Sequence, residues 1–324
     1  MKKSLFLLGV AVAALTSCTN NEVMEVAENR AIGFSSFVGN TTKAATEFTG
    51  SATSADIYVI GYYGENNGTL DQPVFNNELG STLYYWNEGK YYIFGAYADG
   101  KGGKFDGVSF DPTNSKLTFT NYTPSTKDLV AAVSDKVKNV TAASQGAVSL
   151  SFKHMLAQVG FTFNTQVGQE YTLAISNIQI EKAIKTATGT YTKSGDAIAW
   201  DGSATGEGEA SYAYTDIADL ANGTTNSNSE YNLVIPQAVS GIQVTFTASI
   251  SGVGIDPAKT RKITVPLPTT SVSKWTAGYK YNYTTTINAE DITDELKPIQ
   301  FTVEEIPTWT DGGNTDLDVP AIQP

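Results

Sequence analysis

The chain has 324 residues, with 21 basic against 33 acidic side chains and a formal charge of −12. This balance argues against nucleic acid and against electrostatic docking on anionic lipid heads. A single histidine excludes His-based metal clusters and multi-histidine catalysis, and a single cysteine excludes an internal disulfide.

At the N-terminus, Met1-Lys2-Lys3 precedes an apolar run from Leu5 to Leu15 and then Thr16-Ser17-Cys18. The basic start, the short apolar run and the small residues predict a secretory signal over 1–17 rather than a membrane span. Leu15-Thr16-Ser17-Cys18 also resembles a lipobox, in which the cysteine sulfur takes a diacylglycerol. Cys18 is therefore the expected lipidation site, and membrane contact is expected through its acyl chains. Losing Lys2 and Lys3 with the signal takes the charge from −12 to −14.

Residues 19–30 are polar and without period, as a tether should be. Ile32, Phe34, Ser36 and Val38 then alternate as a half-buried strand, followed by a Thr/Ala/Ser-rich loop over 40–55. Strands are predicted at Asp56–Tyr63, Leu83–Trp86, Tyr91–Tyr97 and Lys116–Tyr122, with Asn87-Glu88-Gly89-Lys90 as a hairpin turn. Lys127–Asn139 is the best helix candidate. A second run begins with Val148, Leu150 and Phe152. It continues through Val159–Phe163, Thr172–Glu181, Glu230–Pro236, Ile242–Ile250, Lys262–Leu267, Tyr279–Ile287 and Ile299–Ile306. Gly202–Ser229 is expected to be a long surface loop. Strands at this spacing, with few short helices, predict an all-β protein of two β-sandwich domains in tandem. The expected division is 18–43 as tether and first strand, 44–146 as the N-terminal sandwich and 147–324 as the C-terminal one.

Catalytic and metal constellations do not emerge. No nucleophile elbow accompanies His154, whose setting between Phe152 and Leu156 suggests a buried imidazole bonded to backbone. Glu304 and Glu305 are strand neighbours and point to opposite faces. Asp311–Asp318 has calcium-like oxygen spacing but lacks the bidentate Glu of an EF-hand. Gly100-Lys101-Gly102-Gly103 lacks the residues of a phosphate loop. Tyr62-Tyr63, Tyr84-Tyr85-Trp86 and Tyr91-Tyr92 suggest an aromatic platform for surface glycans, although alternation puts half of each pair in the core. The chain is not expected to be an enzyme, and no cofactor or metal is expected.

Several stretches resemble the fimbrillin family, the Mfa-like lipoproteins and type V pilus subunits of Bacteroidales. They are Cys18 in its lipobox, Ala31-Ile32-Gly33-Phe34 followed by Thr41-Thr42-Lys43-Ala44, and Phe152-Lys153-His154-Met155-Leu156-Ala157. Trp275-Thr276-Ala277-Gly278-Tyr279-Lys280-Tyr281 and Ile299-Gln300-Phe301-Thr302-Val303, with Trp309 after it, complete the set. The resemblance implies transthyretin-like sandwiches, delivery through the periplasm to the outer membrane and cell surface, and a fimbrium assembled from neighbouring subunits. It further implies that a maturation protease cuts the loop after the first strand, and that the vacated groove takes a strand from the next subunit.

On that reading the removable strand is Ala31–Val38, with Ile32, Phe34 and Val38 inward. Their burial is worth about 5 to 8 kcal/mol before ordering costs. The matching cut lies between Lys43 and Ala44, although the resemblance leads one to expect arginine there. The alternative, Arg30-Ala31, would sever the tether and leave the strand docked. Ile299, Phe301, Val303 and Trp309 are the candidate donor strand, unless this is simply the last strand of its own domain. The alternative function is a tip adhesin or lipid-anchored glycan-binding protein that does not polymerise.

Overall fold

A computed structural model of the chain describes residues 30–38, 55–100, 103–139, 146–223, 225–227, 230–293 and 299–306. Among them β-structure dominates, beside one 3-10 turn at Ser194–Asp196 and one short helix, α1 (Ala289–Thr293).

A seven-stranded sheet carries the N-terminal half. Its order is β1 (Phe34–Val38), β9 (Val148–His154), β7 (Leu129–Val133), β4 (Tyr91–Asp99), β2 (Tyr58–Gly64) and β3 (Gln72–Leu79), with β8 (Val137–Lys138) also on β4. The central strands are apolar on both faces because both faces are covered. From β4, Ile93 and Tyr97 join Phe110, Leu117 and Phe119 in one core, while Tyr92, Phe94, Ala96 and Ala98 join Phe75, Trp86 and Leu150 in another. Gly95 allows the first of these cores to close: a Cβ there would meet the Phe110 ring at 2.8 Å and Leu117 at 2.9 Å.

The covering layer on that side is a four-stranded sheet ordered β13 (Ala197–Ala204), β12 (Ile184–Thr192), β6 (Lys116–Tyr122) and β5 (Val108–Asp111). It joins strands from both halves of the sequence, since β6 pairs with β12 from Tyr122↔Ala187 to Lys116↔Thr192. The boundary expected between 146 and 147 therefore does not separate the sheets. β9 lies just beyond it and completes the first sheet, and the β12–β13 hairpin returns to cover the same core.

The remaining strands form two facing sheets. One is ordered β16 (Thr225–Ser227), β10 (Ala157–Gln166), β20 (Lys280–Asn288) and β21 (Thr302–Ile306), with β17 (Asn232–Val234) on β10. The other is ordered β14 (Ala210–Ala213), β11 (Tyr171–Glu181), β18 (Gln243–Gly252) and β19 (Ile255–Pro266), with β15 (Ile217–Ala221) on β11. The period-2 residues of β18, Val244, Phe246, Ala248 and Ile250, fill the core between them.

Three expectations are corrected. Lys127–Asn139 is not helical but carries β7 and β8. All five residues of β7 are buried, so covering on both faces erased the period that marks a strand. Leu83–Trp86 does not pair with β4 as a hairpin; instead Tyr85 bridges Ala31. Gly202–Ser229 holds the end of β13 together with β14, β15 and β16. β14 and β15 are short strands at sheet margins whose buried apolar residues are Tyr212, Ile217 and Leu220, too few to show a period in the sequence.

Candidate functional site

The site lies at the outer edge of the seven-stranded sheet, where Arg30–Val38 runs. This stretch is secured by two different pairings. Its first residues lie along Tyr84–Trp86: Ile32 N–H donates to the Tyr84 carbonyl at 2.8 Å, and Trp86 N–H donates to the Arg30 carbonyl at 3.0 Å. The chain then turns onto β9. The Gly33 carbonyl accepts from Val148 N–H at 2.7 Å, and β1 runs parallel to β9 from Phe34↔Val148 to Val38↔Phe152. β1 ends the sheet and has no neighbour on its other side among the described residues. A parallel edge pair is the weaker kind of ladder, so much of its hold must come from side chains.

Those side chains form an aromatic corner. Ile32 is 4% exposed. The Phe34 ring stands edge-on to Phe94 at 5.2 Å and to Phe75 at 5.5 Å, and Phe75 meets Tyr84 at 4.6 Å. Each such contact adds about 0.5–1.5 kcal/mol beyond the area buried. The Tyr84 hydroxyl donates to Glu78 Oε2 at 2.7 Å, and that bond holds its phenol pKa above the usual value. Ser35, Ser149 and Ser151 are exposed on the opposite face, so the apolar hold is one-sided.

Of the expected residues, Ile32 and Phe34 are brought together with Val148 and Leu150 in this corner. Val38 contributes its backbone pairing with Phe152. The Arg30–Ala31 bond lies inside the paired stretch, since Arg30 accepts from Trp86 and Ala31 bridges Tyr85. Cys18, Lys43, Ala44, Trp309 and the Asp311–Asp318 run lie outside the described residues.

The candidate donor strand occupies a place of its own. Ile299 and Phe301 are 7% and 6% exposed in the C-terminal core, and Val303 pairs with Tyr283 as part of β21. Glu304 and Glu305 are both exposed. The aromatic pairs mostly pack inward: Trp86 and Tyr92 are fully buried and Tyr63 stacks on Tyr92, while Tyr85 is 42% exposed.

Sequence reasoning missed how β9 is anchored. His154 is 8% exposed, and its Nδ1 lies 2.7 Å from Oδ2 of the fully buried Asp128, a carboxylate partner where backbone was expected. Nearby, burial raises the Asp99 carboxyl pKa, although the Tyr122 hydroxyl donates to it at 2.9 Å. The Thr126-Lys127-Asp128 stretch carries no sequence signal for this pairing. Among the described residues no group of three or more His, Cys, Asp or Glu side chains is placed to hold a metal, and no helix is long and apolar enough to cross a membrane.

The family model described as fimbrillin-like matches residues 17–305. The chain belongs to the fimbrillin-like family. No curated protein sequence matches this fimbrillin-like chain. Solved structures with a similar chain course include a candidate cell adhesion protein of Bacteroides uniformis, at 17% identity and TM-score 0.40, covering 86% of this chain and 98% of that one. Another, from Parabacteroides distasonis, has 12% identity and TM-score 0.45, covering 89% and 99%. The fimbrial anchor protein Mfa2 of Porphyromonas gingivalis has 11% identity and TM-score 0.35, covering 85% and 97%.

Proposed function

We propose that this fimbrillin-like chain is a structural subunit of a surface fimbria. It is exported as a lipoprotein through Cys18, cut between Lys43 and Ala44, and joined to its neighbours by strand exchange at the site of β1. The observation that supports this best is the edge position of β1. Among the described residues, its removal would break the ladder to β9 and the pairings of Arg30–Ile32 with Tyr84–Trp86, and would leave the Phe34 place vacant against Phe75 and Phe94. An empty apolar slot beside an unpaired edge is unfavourable, and a donated strand with alternating apolar residues relieves both costs. Cleavage at Arg30 fits less well, because that bond lies in paired backbone and proteases need accessible, unpaired chain.

The test is N-terminal sequencing of surface-extracted protein beside a gel that reveals denaturant-resistant ladders. An Ala44 terminus with a ladder is expected, and both should be lost in Lys43→Gln while Arg30→Gln changes neither. An intact lipidated Cys18 terminus without any ladder would sink the proposal.

One observation favours a second reading, in which the chain accepts a strand but donates none, as a tip or anchor subunit would. Ile299 and Phe301 are already buried in their own core. Trimming residues 311–324 separates the two readings: a stalk subunit stops polymerising, whereas an acceptor-only subunit is indifferent.

A further inference from the structure

β9, the strand on which β1 lies, is itself tied into the hydrogen-bonded ladder of the sheet at one end. Its pairing with β7 is confined to Val130↔His154 and Ala131↔Lys153. Val148–Ser151 pair with β1 alone among the described residues, and β1 pairs with no other strand. The edge of the sheet is therefore a two-stranded parallel ribbon, and such a pair is marginal in water without a packed face. Its packed face consists of Ile32, Phe34, Val148 and Leu150 against Phe75 and Phe94.

The far end is fixed in several ways. His154 Nδ1 meets the buried Asp128 carboxylate, Met155 N–H donates to the Leu129 carbonyl at 2.8 Å, and Lys153 Nζ reaches Asp196 Oδ2 at 3.0 Å.

We infer that β1 and Val148–Ser151 form one opening unit, hinged at Lys153–His154, in which neither strand keeps its place without the other. For its role, this inference rests on the proposed release of β1. Once β1 leaves, no finished ladder awaits a partner. The incoming strand must order Val148–Ser151 as it docks, so acceptance is folding coupled to binding. A chain without a partner then displays no persistent bare strand edge, and is protected from indiscriminate pairing.

Thiol labelling of the full, unprocessed chain tests this, with Cys18→Ser removing the native thiol. Single cysteines are introduced as Phe34→Cys on β1, Leu150→Cys on β9 and Ala132→Cys on β7, all on the same face of the sheet, and Val148→Cys repeats the β9 measurement. Phe34→Cys and both β9 variants should react at one common rate, at least about tenfold faster than Ala132→Cys. The inference is overturned if the β9 cysteines react as slowly as Ala132→Cys while Phe34→Cys is fast, since β1 then leaves alone. It is equally overturned if all four react at one rate, since only global unfolding then exposes them. No cleavage is involved, so failure here leaves the proposed maturation standing, and failure of cleavage at Lys43 leaves the hinge standing.

Discussion

The edge strands nearest the two ends of the described chain, β1 and β21, differ in what lies beneath them. β21 is antiparallel to β20, and β20 is bound on its other side to β10 along its full length, from Lys280 to Asn288. β1 rests on a strand that its own neighbour holds at two positions. The anchoring rings differ too. Phe301 meets Phe161, Phe163 and Phe246 edge-on at 5.8, 6.0 and 6.1 Å in the middle of its core, whereas Phe34 meets two rings at a rim. An edge position alone therefore does not make a strand removable. What matters is the depth of its anchor and the fixity of the strand below.

The largest effect that could break this comparison is the loss of the deep anchor. Phe301→Ala should cost about 3–5 kcal/mol, the range for truncating a ring at the centre of a core. Phe34→Ala, at a half-buried ring, should cost roughly half as much. Urea midpoints of the two variants, read by intrinsic fluorescence, check the order. Equal losses would mean that β1 is seated as firmly as β21.

A smaller effect concerns the fixed side of β9, where Asp99 lies close to Asp128. Burial raises the folded-state pKa of Asp99, so the folded protein holds its proton more tightly than the unfolded chain does. Its contribution to stability is therefore fully present below the ordinary carboxylate pKa and is lost as pH rises through the folded value. Asp99→Asn removes that loss, while its amide oxygen can still accept the Tyr122 hydroxyl. The variant should match the parent in Tm near pH 3 and exceed it at pH 7. A Tm difference that does not change with pH would show that desolvation of this carboxylate has no net consequence.

Most of the architecture could be read from alternation. The strands β6, β9, β10, β11, β18 and β20 carry apolar residues at period two, and the corner residues Ile32 and Phe34 belong to the same pattern. The parts that could not be read share physical causes. β7 is covered on both faces and has no alternation to show. β13 to β15 lie at margins, where most exposed residues are Ala, Asp, Gly and Ser and few apolar residues are buried. The pairing of β1 with β9 joins segments more than a hundred residues apart, and parallel partners leave no hairpin turn to announce them. The His154–Asp128 contact is a tertiary event of the same kind, linking two strand ends whose local sequences look unremarkable.

The smallest predicted effect bears on where the ribbon is held. Lys153 Nζ lies 3.0 Å from Asp196 Oδ2, and both side chains are near half exposed, so the pair should contribute only about 0.2–1 kcal/mol at low ionic strength. It nevertheless spans the two layers of the N-terminal core, because Lys153 lies next to the end of β9 and Asp196 sits in the turn between β12 and β13. Asp196 also accepts the Tyr191 hydroxyl at 2.7 Å, and that bond, followed by Lys153, keeps its carboxyl below the ordinary range. Lys153→Ala should thus cost less than Asp196→Asn, which weakens both contacts, and the Lys153→Ala loss should shrink as salt is raised towards 1 M. If Lys153→Ala instead costs more than about 1 kcal/mol and resists salt, the hinge end of β9 is held by this pair more than by His154 and Asp128.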